Sequence, residues 1–233
     1  MMNKDPIEKN NGESASENVV LDYVSALDEE SEKKRTDDSK RKMLEMFYDF
    51  VETLAFAACF VLVFFGFIAR PAKVVGSSME STLTEGDTVI VSKLFYEPEY
   101  GDIVVFQNRD SHRSDPLIKR VIATEGQWVN IVFHNDRTMT VYVADSLEEL
   151  DTAEPLDESG YVLFKQDAHI TSDLKFPIEV PEGTVFAMGD NRNHSLDSRS
   201  TGIGFIPEEH IVGRLIVRFL PLNKFGAVPM VKK

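Results

Sequence analysis

The stretch that decides the architecture is FVETLAFAACFVLVFFGFIA, residues Phe50 to Ala69. It is almost wholly apolar, with Glu52 near its start as the one charged residue. About twenty such residues span a bilayer's hydrocarbon core at a helical rise of about 1.5 Å each. From Val61 to Ile68 there is no polar face that a soluble core helix would turn to water. A transmembrane anchor is therefore predicted over residues 43–70. Lys33, Lys34, Arg35, Lys40, Arg41 and Lys42 precede the run, and only Arg70 and Lys73 follow it closely. The positive-inside rule then predicts a single pass with the N-terminus cytoplasmic and everything after Arg70 extracytoplasmic. A cleavable leader normally lies at the start of a chain, so a run beginning at Phe50 reads as a permanent anchor. The one cysteine, Cys59, sits in mid-span, too deep for a lipid-attachment site, and it leaves no intrachain disulfide to support the rest.

Outward from the anchor, the texture differs on the two sides. Residues 1–42 are polar, rich in Asn, Glu, Ser and Lys, and predict a disordered cytoplasmic tail. After Pro71 come short apolar runs broken by Gly, Pro, Asp and Asn. Residues 88–91, 103–106, 128–133, 140–143, 160–164, 184–188 and 215–219 all read as strands. The predicted fold is mainly β: a single N-terminal transmembrane helix followed by an antiparallel β catalytic domain over 71–233, with a less motif-rich β subdomain at about 128–183. A chain of 233 residues that is 42% hydrophobic can fill such a core. Its net charge of −14 excludes a nucleic-acid partner, because polyanions are held by Lys and Arg. Asp145 to Glu158 holds seven carboxylates and no basic residue, and reads as a solvated loop.

Three features carry chemistry. Gly76-Ser77-Ser78-Met79, followed by Thr82-Leu83 and Glu85-Gly86-Asp87, reads as a tight turn entering a strand. Its small residues admit a substrate backbone, and its N–H groups can face a developing oxyanion. Lys119, in Leu117-Ile118-Lys119-Arg120-Val121-Ile122, lies between apolar residues on a predicted strand, where alternation puts Ile118 and Lys119 on opposite faces. Taken alone it reads as a surface lysine with a solvated head. To serve as a general base its pKa must fall from about 10.4 to about 8, an unfavourable burial on the order of 3 kcal/mol. Third, the dense polar run from Gly189 through Arg199 must satisfy itself internally or face a site. Asp190, His194 and Asp197 can also be read there as metal ligands, but no second histidine is near, and Arg192 and Arg199 compete for the carboxylates.

These segments, in this order behind one anchor, resemble bacterial type I signal peptidases, the membrane-bound Ser/Lys endopeptidases of peptidase family S26. Gly76 to Leu83 is similar to the family's nucleophile motif, in which the serine before methionine attacks, and this selects Ser78 over Ser77. Tyr100 to Phe106 resembles a structural strand motif, and Ile118-Lys119-Arg120-Val121 resembles the base motif. The run from Gly189 to Arg199 resembles the supporting motif. By that resemblance Lys119 is the general base, Ser195 orients its amine, and Asp197 pairs with Arg199 to brace the loop. The implied activity is removal of N-terminal signal peptides from exported preproteins, with cleavage after small residues in the A-x-A pattern. The implied partners are those preproteins and the lipid bilayer, and no metal or organic cofactor is implied. Three departures stand out. Ser81 replaces the usual proline, and Asn193-His194 replaces the usual Asp-Asn. Gly76 stands where some members carry an oxyanion-binding serine, so that support falls to backbone N–H groups, chiefly that of Ser78.

Three other readings are weighed against this one. A tethered binding domain that has lost activity rests only on Ser81 and Asn193-His194. A self-cleaving Ser/Lys regulator would need a basic DNA-binding region, which the composition lacks. A metal-dependent hydrolase would centre on Asp190 and His194.

Overall fold

A computed structural model of the chain describes residues 12–107, 115–165, 167–170 and 172–228. The chain divides into two units, one ending at Val61 and the other beginning at Leu62.

The described part of the first unit lies in one helix, α1, which spans Gly12–Val63 and so runs two residues past the division. Its most apolar 18-residue window has a mean hydropathy of 1.9, long and apolar enough to cross a membrane. Phe56, Phe60 and Leu62 are each about seven-tenths exposed, which suits side chains that lipid rather than protein would cover. The disordered tail predicted for residues 1–42 is not what is found from Gly12 onward, because α1 runs straight through it; residues 1–11 lie outside the described residues. The composition that suggested disorder also suits an isolated helix. No proline or glycine interrupts residues 13–65, and Glu29/Lys33, Glu30/Lys34, Asp37/Arg41 and Asp38/Lys42 are acid-first i,i+4 pairs, each worth about 0.2–0.5 kcal/mol.

The second unit opens with one wide helical turn, Phe64–Ile68, after which the chain becomes extended at Ala69. Among the described residues it then builds ten strands: β1 Arg70–Lys73, β2 Thr88–Ser92, β3 Ile103–Phe106, β4 Leu117–Ala123, β5 Trp128–Phe133, β6 Met139–Ala144, β7 Ile178–Glu179, β8 Thr184–Met188, β9 Ile206–Pro207 and β10 Ile211–Leu220. A short helix, α2, spans Leu147–Leu150 and is capped by the Ser146 hydroxyl. Seven strands form one antiparallel sheet in the order β1-β2-β10-β3-β4-β8-β9, and β6-β5-β7 form a second. Pro71 is accommodated because β1 is an edge strand, where a missing N–H breaks no inner ladder.

The position of β4 matters most for function. It pairs with β3 through Val104↔Lys119 and Ile103↔Arg120, and with β8 through Arg120↔Met188. Apolar clusters cover both of its faces. Ile118 joins Met79, Leu83 and the inner faces of β2 and β10, while Val121 joins Val104, Val185 and Ile211. Ile122 joins a third cluster, shared by β5, β6 and β8, through which the smaller sheet packs on the larger.

One predicted strand is absent. Gly160 to Phe164 forms a turn, with Tyr161 N–H and Val162 N–H donating to the Glu158 carbonyl, then a single parallel bridge from Leu163 to Asn191. Among the described residues its backbone-to-backbone bonds beyond the turn are made by Leu163 alone, to the Asp190 carbonyl and from the Arg192 N–H of a loop, so no ladder extends. The apolar run instead buries Tyr161 against Arg120.

Candidate active site

The turn after β1 presents Ser78. Gly76 takes a φ of +81°, which an L side chain rarely adopts, and this reverses the chain out of the strand. Met79 and Leu83, each 1% exposed, then drop into the core and fix the turn from below. Leu83 N–H donates to Met79 O at 2.8 Å and Glu80 N–H to Ser77 O at 3.0 Å, closing it as a helical turn. From the other side, Asn191 N–H donates to the Ser78 carbonyl at 3.0 Å and Asn191 Nδ2 to the Ser77 carbonyl at 3.0 Å. The Ser78 N–H itself has no partner among the described residues, which leaves it available to an oxyanion.

Lys119 meets Ser78 from the middle of β4. Its Nζ lies 2.9 Å from Ser78 Oγ and donates to the Ile118 carbonyl, also at 2.9 Å. The side chain is 2% exposed. The solvated-head reading fails because β4 is an inner strand covered on both faces. Desolvation lowers the amine from 10.5 to about 8; Arg199 adds to that, and Asp197 and Asp190 pull partly the other way. A hydroxyl in contact with a dry amine, about one in ten of which is neutral at pH 7, has the pairing that nucleophilic catalysis requires.

The Gly189–Arg199 run supports this pair from behind. Gly189 admits no side chain, because a Cβ there would lie 2.2 Å from Ser195 Oγ and 2.5 Å from the Ser78 carbonyl oxygen. Asp197 accepts the Gly189 N–H at 3.0 Å and two bonds from Arg199, at 2.7 and 2.8 Å. Burial pushes the Asp197 carboxyl up, but the Arg199 guanidinium outweighs it and holds the group below the usual carboxylate range. Arg199 also donates to the Arg192 carbonyl at 2.9 Å.

The pairing of Asp197 with Arg199 is present, but the expected bond from Ser195 to Lys119 is not. The Ser195 hydroxyl is near enough to Asp197 to help hold it low, yet it lacks the geometry for a full hydrogen bond and makes none to Lys119. It is pressed against Gly189 instead. At Gly76, space is open around the position of a Cβ, so the requirement there is the backbone angle and not room. Asn193 and His194 do not sit under Lys119. Asn193 bonds to the backbone of Lys165, Arg137 and Ala168, and His194 pairs with Asp167 at 2.7 Å. Ser81 has a φ of +78°, which a proline cannot adopt.

The sequence reading gave no role to several buried groups that hold the site. Arg120 and Asp190, both 0% exposed, form a two-bond pair at 2.8 and 2.9 Å, and Arg120 also donates to the Gly101 carbonyl at 2.8 Å. Thr82 Oγ1 donates to Asp190, joining the nucleophile turn to that pair. Arg192 grips Glu158 at 2.6 and 2.8 Å, so Glu158 leaves the loop expected to be solvated and becomes part of the site's frame. Little in the sequence signalled it, since Arg192 and Arg199 are matched in number by Asp190 and Asp197 within the Gly189–Arg199 run. With Asp190 held by Arg120 and Asp197 by Arg199, the carboxylates considered as metal ligands face guanidinium groups rather than one another.

A part-buried contact between Ser78 and Lys119 on an antiparallel β domain brings together a hydroxyl and an amine, the groups a serine hydrolase can draw on. The comparisons make the class specific. The family described as "Signal peptidase, peptidase S26" matches residues 47–220, and the chain belongs to that family. It is 35% identical over 169 residues to "Probable signal peptidase I-1" of Synechocystis sp. (strain ATCC 27184 / PCC 6803 / Kazusa), covering 69% of this chain and 76% of that protein. It is 31% identical over 199 residues to "Signal peptidase I T" of Bacillus subtilis (strain 168), covering 84% of this chain and 96% of that protein. The protein is thus a serine peptidase of the signal peptidase I type, with an N-terminal apolar helix compatible with membrane anchoring.

Proposed function

We propose that this enzyme removes N-terminal signal peptides from exported preproteins through a Ser78/Lys119 dyad, cutting after small residues in an A-x-A pattern. The single observation that carries the reading is the 2.9 Å contact between Ser78 Oγ and the buried Lys119 amine. Neutral Lys119 takes the Ser78 proton as Oγ attacks the scissile carbonyl. The oxyanion that forms rests on backbone N–H groups, chiefly that of Ser78. Protonated Lys119 then gives its proton to the leaving amine, which departs with the mature protein's new N-terminus. Water, deprotonated by the same amine, hydrolyses the acyl-enzyme and regenerates Ser78. No step calls for a metal or an organic cofactor.

The basic flank before the helix supports a cytoplasmic N-terminus and an extracytoplasmic β domain. A substrate held in the same bilayer would meet the enzyme at a raised effective concentration. The test is cleavage of a preprotein carrying an Ala-x-Ala site by the full chain in lipid vesicles, with Ser78→Ala as the control. Processing at that site by the unmodified protein and not by the variant is expected; equal processing by both would end the reading.

A further inference from the structure

The stretch Tyr161–Lys165 grips the nucleophile turn at two points outside the dyad, one of which, the Glu80 carboxylate, also accepts a long 3.5 Å bond from Asn191 Nδ2 of the supporting loop. The Ser81 hydroxyl donates to the Tyr161 carbonyl, and the Lys165 ammonium pairs with the Glu80 carboxylate. Both gripped residues follow Ser78 within three positions, on the side of the turn opposite the buried anchors Met79 and Leu83. Ser81 holds a left-handed backbone angle, which is unfavourable for a non-glycine residue and persists only where the surroundings enforce it.

The stretch is itself stitched to the loop that carries Ser195 and Asp197. Leu163 N–H donates to the Asp190 carbonyl at 2.8 Å, Arg192 N–H to the Leu163 carbonyl at 3.0 Å, and Lys165 N–H to Asn193 Oδ1 at 2.8 Å. Its near end is pinned by the Tyr161 hydroxyl bonding Glu158 at 3.0 Å and by the Arg120 guanidinium 4.3 Å from the Tyr161 ring centroid.

We propose that Tyr161–Lys165 is a splint that positions Ser78 against Lys119, with Lys165–Glu80 and Ser81–Tyr161 as its two grips. The inference rests on the reading of Ser78 as the nucleophile and extends it to positioning residues outside the family motifs. The backbone from Ser77 to Ser81 sets the direction of the Ser78 Cα–Cβ bond. Releasing the grips therefore changes how often Oγ lies in line for attack, while the side chains of the dyad themselves are left in place.

The test uses the full chain in vesicles and compares kcat, KM and melting temperature for Ser81→Ala, Glu80→Gln, Lys165→Met and the charge-exchanged pair Glu80→Lys with Lys165→Glu. Each single variant is expected to lower kcat about tenfold with KM held within about twofold, and the exchanged pair to recover most of that loss. The rate at which a serine-directed acylating probe labels Ser78 should fall in parallel with kcat. Unchanged kcat in both Lys165→Met and Ser81→Ala, or a loss seen only as a lower melting temperature, overturns the splint. Failure of the underlying function reads differently, since the unmodified chain would then be no more active than Ser78→Ala.

Discussion

Ser78 Oγ and Lys119 Nζ, forty-one residues apart in sequence, lie 2.9 Å from each other, and the amine is removed from water. The turn that carries Ser78 is anchored in the core by Met79 and Leu83, and the amine is enclosed because β4 runs between β3 and β8. Neither side chain can reach the other unless both elements are seated.

Replacing Lys119 with methionine is expected to abolish turnover and leave the fold intact. Methionine fills a similar volume in a dry site and supplies no base. Loss of preprotein cleavage with an unchanged circular dichroism spectrum checks this, and retained cleavage would remove the lysine from the mechanism.

Activity should rise with pH through about 8, the value to which burial lowers Lys119. The neutral amine is the active form, so kcat/KM falls about tenfold per pH unit below that point. The linked effect on stability follows from the same shift. Between about 8 and 10.5 the unfolded chain keeps a proton that the folded chain has released, so folding becomes more favourable as pH rises through that window. Below it both states are protonated, and the penalty of a buried ammonium, about 3 kcal/mol, is fully present. Lys119→Met should therefore raise the melting temperature at pH 7 and lose that advantage near pH 10. A flat pH–rate profile would contradict the assignment.

Gly189→Ala should cost both stability and activity. Its Cβ would press on the Ser78 carbonyl at 2.5 Å and on Ser195 Oγ at 2.2 Å. Overpacking of this kind costs about 1–3 kcal/mol, and here the displaced backbone is that of the nucleophile. Thermal unfolding and cleavage rate together check it; a variant with unchanged kcat would show that the Gly189 contact does not hold Ser78 in place.

Asp190→Ala leaves the Arg120 guanidinium buried without its carboxylate. A loss of about 3–5 kcal/mol is expected, because an uncompensated charge remains in a site that is 0% exposed. Denaturant titration measures it, and a loss below 1 kcal/mol would mean that water reaches Arg120.

Most of the fold could be read from pattern. The strands at β2, β3, β5, β6 and β8 coincide with apolar runs, and most of the continuous apolar stretch lies in α1. The errors have specific causes. Gly160–Phe164 has a strand's composition without a neighbouring strand, and a β-strand exists only where another backbone supplies its hydrogen bonds. The tail before residue 42 lacks the apolar content of a packed helix, yet its charge spacing supports an exposed one. Glu158 was hidden among six other carboxylates, and only its bonds to Arg192 separate it from them.

Sequence alone marked Ser78 and Lys119 as candidates and set an apolar stretch apart from a β-rich remainder, because an apolar run of bilayer length and a short motif are local properties. Tertiary structure alone decided that Lys119 is dry, that Asp190 answers to Arg120, and that Ser195 rests on Gly189 rather than on the amine. Desolvation and ion pairing depend on which distant segments close around a group. For Lys119 those segments, β3 and β8, flank it from either side of the chain, so no window of sequence around it contains them.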